Sequence, residues 1–101
     1  MSSAATPPAP LFVVLYPSAD DVAARAPAHF PAHKVRLDEF HARGELLMVG
    51  TFGEPQAQGS MAVFATRPGA EDFVSGDPFV LNGVVRSWEI RQWNESYRDH
   101  P

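Results

Sequence analysis

His33 and Asp77 are the residue types in this chain best suited to moving a proton. An imidazole takes and returns a proton near neutral pH, and a carboxylate beside it fixes the ring tautomer and steadies the charged form. Asp77 opens the run Asp77-Pro78-Phe79-Val80, ahead of Gly83-Val84-Val85, which places it at a tight turn. His33 falls on the apolar side of a predicted helix. Brought together, the pair is a minimal acid–base dyad that could act on an acidic O–H or C–H. Each residue also has a plainer reading. His33 would serve as a core-edge ring satisfied by a backbone carbonyl. An Asp before Pro is a good helix N-cap, worth ~0.5–2 kcal/mol without any chemistry. Both roles fit one carboxylate, with one oxygen capping and the other accepting from the ring.

The remaining polar candidates are weaker. His29 and His33 stand four apart, as metal ligands on a helix do. Pro31 between them argues against an unbroken helix, and no nearby carboxylate completes a set, so no metal site is expected. His41 shares the inward stripe and reads as a packed or hydrogen-bonded structural residue; His100 lies in the tail. Glu89 and Arg91 share a strand face as a surface charge pair. Arg86, on the opposite parity with Trp88, would meet an anionic substrate or simply end a solvated strand. Phe12, Phe52, Phe79 and Trp88 are core by default, and some could wall a pocket for a flat ring.

The elements that must position these residues follow from periodicity. Residues 11–16 are a continuous apolar run rich in β-formers, stopped by Pro17. Residues 18–31 are mixed and carry two prolines, so they read as a loop with at most a turn of helix. A helix is predicted to begin at Pro31, where a missing N–H costs nothing. It carries His33, Leu37, Phe40 and His41 on one face and ends at Gly44. Residues 45–52 read as a strand, 53–59 as a polar turn and 60–65 as the return strand of a hairpin. A short helix over 70–75 follows, and Asp77-Pro78 caps a further turn. Residues 84–93 are the last strand. The order is the split βαβ, ferredoxin-like layout (βαββαβ): an α+β fold whose four-stranded antiparallel sheet has both helices on one face.

Composition bounds the rest. A chain of 101 residues is one domain. We divide it into a disordered tail over 1–10, a folded domain over 11–93 and a C-terminal tail over 94–101. An apolar fraction of 45% is too high for a disordered chain. The net charge is −4 and the eight Lys and Arg residues are scattered, which disfavours nucleic acid and anionic membrane as partners. The absence of cysteine excludes a disulfide framework and a thiol nucleophile. The first ten residues lack the charged and apolar regions of a secretion signal. No apolar run approaches the roughly 20 residues needed to cross a bilayer. The expected location is the cytoplasm.

Three of the four predicted strands are apolar on both parities, whereas a sheet with one wet face alternates. In the last strand, Trp88 and Ile90 fall on one face, Val85 and Trp93 on the other. Two helices cover one side, and ten residues of Ser, Ala and Pro are a poor cover for the other. The expectation is a homodimer joined through the sheet face.

The residues that carry this reading also resemble a known family. Pro31-Ala32-His33, the stretch from Glu39 to Leu47, Gly50, Gly59, and Asp77-Pro78-Phe79-Val80 with Gly83-Val84 are similar to the YCII-related family over about residues 11–93. Lys34 and Thr51 depart from its pattern at the pocket rim. The resemblance implies a dimeric α/β-barrel and a His–Asp pair carried by His33 and Asp77. It further implies a cofactor-free lyase of the kind that dehydrochlorinates a chlorinated hydroxyhydroquinone. Haem or flavin chemistry has no residue signal here. The expected function is therefore a cofactor-independent lyase or isomerase acting on a phenolic, enolic or lactone-like compound. The alternative is a non-catalytic dimeric module that binds a small aromatic ligand or serves as an accessory subunit.

Overall fold

The computed structural model describes residues 9–97. His100 lies outside them, as does most of the expected N-terminal tail. The elements are β1 (Leu11–Tyr16), α1 (Val22–Ala42), β2 (Leu46–Thr51), α2 (Pro55–Gln58), β3 (Ser60–Phe64), α3 (Arg67–Gly76), α4 (Pro78–Leu81) and β4 (Glu89–Trp93). The strands form one antiparallel sheet in the order β2-β3-β1-β4. This is the expected ferredoxin-like α+β fold, with the single turns α2 and α4 added in its connections. No helix among the described residues is long and apolar enough to cross a membrane.

Register sets the two faces. Val14 lies opposite Ala62 on one side and Ile90 on the other. Phe12, Val14 and Tyr16 thus share a face with Ala62, Phe64 and Ile90. Phe40 from α1 and Ala70, Phe73 and Val74 from α3 pack with that face as the main core. On the opposite face Leu11, Val13 and Val63 make a smaller cluster, flanked by Leu15 and Met61. Met48 and Trp93, which their register places on this face, are 55% and 46% exposed. The Glu89–Arg91 ion pair, at 2.8 Å, lies there too.

Three sequence expectations need correction. First, α1 begins at Val22, not Pro31, and runs through both Pro27 and Pro31. Each proline leaves the carbonyl four residues earlier without its helical donor. Those carbonyls belong to Ala23 and Pro27, and residues 23, 27 and 31 are all exposed. Water can satisfy the freed oxygens, so the helix continues. Its buried and half-buried stripe is Val22, Ala26, His29, His33, Arg36, Leu37 and Phe40. Second, His41 is exposed rather than packed. Third, β4 begins only at Glu89. Before it, Val85 makes an isolated bridge to Ser18 and the Arg86 N–H donates to Pro17. The break in pairing lets Val85 pack with Ile90 on the helix side instead of with Trp93. Gly44 does stop α1 in the left-handed conformation, at φ 76°.

Candidate active site

Three elements converge under the middle of α1. Tyr16 ends β1 on the helix-facing parity, so its ring points into the layer between sheet and helices. Asp77 sits in extended backbone between α3 and α4, at φ −70° and ψ 122°. Pro78 suits the first position of α4, and the Asp77 side chain caps that turn by accepting from the Phe79 N–H at 3.1 Å. His33 hangs from the inward stripe of α1, one turn before Leu37.

The three side chains meet. His33 Nδ1 lies 2.7 Å from Asp77 Oδ1, and the Tyr16 hydroxyl donates to Asp77 Oδ2 at 2.7 Å. Asp77 has no exposed surface, and Tyr16 and His33 expose only 6% and 8%. Contrary to the expected division of labour, Oδ1 both caps α4 and faces the ring, while Oδ2 is held by Tyr16, so each buried oxygen has a named donor. A carboxylate accepts only, so Nδ1 carries the proton in this contact and Nε2 holds the free lone pair. The Phe79 ring stacks on the imidazole at 3.8 Å and 2°, while Phe73 meets it edge-on at 6.3 Å. Together they fix the ring plane.

Burial pushes the Tyr16 hydroxyl well above the ordinary tyrosine range. The charge of Asp77 and the hydrogen bond to it add to that rise, and Arg36 opposes it. Tyr16 is thus a neutral donor. Arg36, one turn along α1 from His33, donates to the carbonyls of Asp72 and Phe73 at the end of α3. A Cβ on Gly76 would sit 2.6 Å from the Arg36 guanidinium, so glycine leaves the path of that side chain open.

Beside the dyad lies a hollow of about 230 Å³. Val22, Ala26 and Phe30 of α1 wall one side, with Thr51, Ser60 and Phe79 among the facing residues. Among the described residues, no charged side chain lines it. His33 and Asp77 do not border it themselves, but Phe30 and Phe79 do, and both contact the imidazole. The structure thus brings His33, Asp77 and Phe79 together. Phe12 lies elsewhere, under the Arg67 guanidinium and against the main core. Phe52, 40% exposed, lines a shallow groove with Met48, Met61 and Val63. Arg86 is exposed and Trp88 is 49% exposed. None of these four borders the hollow.

Sequence reasoning missed Tyr16 and the first half of α1. Tyr16 read as one more apolar residue of β1, and only its inward parity could have marked it. Val22, Ala26 and Phe30 lay in a segment assigned to a loop because of its prolines.

The family model of the YCII-related domain matches residues 11–94. No curated protein sequence matches the chain. Among solved structures, the chain is similar to 5-chloro-2-hydroxyhydroquinone dehydrochlorinase from Burkholderia phenoliruptrix in complex with 2,5-dihydroxybenzoquinone. The TM-score is 0.66 at 17% identity, covering 82% of this chain and 92% of that one. At that identity the likeness speaks for the fold alone.

Proposed function

Because the chain belongs to the YCII-related domain family, we propose that it is a cofactor-independent lyase or isomerase for a small phenolic, enolic or lactone-like compound. One observation carries this reading: His33 Nδ1 is held at 2.7 Å by a fully buried Asp77. That contact leaves Nε2 as the base. Nε2 takes the proton of an acidic hydroxyl or C–H, and Asp77 stabilises the imidazolium. The electron pair released into the ring or enol then expels a leaving group, so that HX is lost, or collects the proton at carbon, so that an isomer forms. General-base catalysis contributes about 10²–10⁴-fold. That suffices for a substrate already activated, as a polyhydroxylated ring is. The uncharged hollow walled by Phe30 and Phe79 supports an aromatic guest.

The active unit in this reading is a homodimer joined through the outer sheet face, where apolar Met48 and Trp93 are half exposed. Sedimentation of the purified protein tests this, with a monomer at micromolar concentration as the contrary result.

The chemical test is His33→Ala. Wild-type protein offered a panel of chlorinated and unchlorinated hydroxyhydroquinones should release chloride or exchange ring protons. His33→Ala should lose that activity with fold and assembly unchanged. An active His33→Ala protein overturns the dyad. A second reading, a binding module without turnover, is favoured by the fact that neither dyad side chain borders the hollow. Binding of the panel without turnover by wild type would establish it.

A further inference from the structure

We propose that Tyr16 is a positioning residue of the dyad: by holding Asp77 Oδ2, its hydroxyl keeps Oδ1 aimed at His33 Nδ1. The inference rests on the acid–base reading above and deepens it.

The terminal torsion of an aspartate is broad and nearly two-fold, so a carboxylate held at one oxygen can swing. Asp77 Oδ1 is shared by the Phe79 N–H and His33 Nδ1, which by themselves leave Oδ2 without a partner in a site with no exposure. Tyr16 supplies that partner at 2.7 Å. Carboxylate rotation would then cost a buried hydrogen bond to a charged group.

Tyr16 is also rigidly mounted. It pairs with Ser60 across the β1–β3 ladder. The chain of β3 enters so close that a Cβ on Gly59 would fall 2.1 Å from the Tyr16 carbonyl oxygen. The hydroxyl therefore comes from β1, one of the two inner strands of the sheet, while His33 comes from α1 and Asp77 from the α3–α4 junction. Three separate elements fix one carboxylate. Because burial keeps Tyr16 protonated, the donor is present throughout the pH range of the chemistry. Tyr16 does not border the hollow, so its effect falls on proton transfer and not on substrate binding.

The experiment follows the His33 ring by nitrogen-15 NMR in the full-length protein, compared among wild type, Tyr16→Phe and Asp77→Asn. Wild type should show a single Nδ1–H tautomer. Tyr16→Phe should give a mixture of tautomers, and on any substrate that wild type turns over, kcat should fall about tenfold with KM kept. Retention of the single tautomer in folded Tyr16→Phe overturns the proposal, as does a change in KM with kcat kept. A second variant covers the case in which Tyr16→Phe does not fold. Site-specific 3-fluorotyrosine at position 16 preserves the contact but donates more strongly. It should displace the His33 Nδ1–H resonance through the shared carboxylate, and an unmoved resonance overturns the proposal. The two readings fail separately. Absence of turnover in wild type defeats the catalytic reading, whereas the tautomer measurement decides the role of Tyr16 without any substrate.

Discussion

Replacing Asp77 with Ala removes the acceptor on which three donors converge: the Tyr16 hydroxyl, His33 Nδ1 and the Phe79 N–H. Loss of the α4 cap costs about 1 kcal/mol. The Tyr16 hydroxyl is then left unpaired in the interior, a penalty of about 1–3 kcal/mol. His33 faces a similar cost, reduced where its ring adopts the other tautomer. The sum is about 4 kcal/mol, a large share of the roughly 5–15 kcal/mol that holds a domain together. For a domain of this size that corresponds to a fall in Tm of roughly 15–30 °C. Asp77→Asn should behave differently. Its carbonyl oxygen can occupy the Oδ1 position and keep both the cap and an acceptor for His33. Its amide then faces the Tyr16 hydroxyl, which can turn to accept. The expected cost is about 1 kcal/mol. Urea and thermal unfolding followed by circular dichroism, with m-values compared, separate the two variants. An Asp77→Ala protein within 1 kcal/mol of wild type would refute the claim that this carboxylate organises the site.

Four further outcomes follow from particular contacts. Burial, then the charge of Asp77, raises the Tyr16 hydroxyl above its ordinary value of 10.0, so above pH 10 the unfolded chain releases a proton that the folded chain keeps. The contribution is full below that pH and is lost as pH rises, so alkaline denaturation should be less steep in Tyr16→Phe. Gly59→Ala puts a Cβ 2.1 Å from the Tyr16 carbonyl oxygen at φ +80°; urea titration should show a loss of about 3 kcal/mol. Thr66→Ala deletes the side-chain acceptor for the Gly69 N–H at 3.0 Å and should cost about 1 kcal/mol in the same assay. Pro27→Ala, on the exposed side of α1, should stabilise by about 2 kcal/mol, the helical gain less the unfolded-state entropy that proline removes.

What the sequence disclosed depended on whether the signal was local. The apolar runs of β1, β2 and β3 announced strands because β-rich stretches bounded by breakers have few other uses. Gly44 and Asp77-Pro78 marked helix ends because a positive φ and a side-chain cap are single-residue requirements. The start of α1 was hidden because proline's local penalty is decided by solvent. Pro27 and Pro31 are tolerable only on the wet side, and which side is wet depends on the sheet below. The end of the last strand was read correctly and its beginning was not, because residues 84–86 are held by single contacts to residues 17–19 rather than by a ladder. At the site, His33 and Asp77 stood out by residue type. Tyr16 did not, because its hydroxyl matters only once strand and turn are packed together.

The aspartate at position 77 caps a turn and holds an imidazole with the same side chain. If the acid–base reading holds, a descendant without that chemistry would still keep Asp or Asn there, since the cap alone favours a side-chain acceptor. His33 has no such second employment at a helix end. Under the acid–base reading, loss of the histidine beside a surviving capping residue is the pattern expected of relatives without that chemistry.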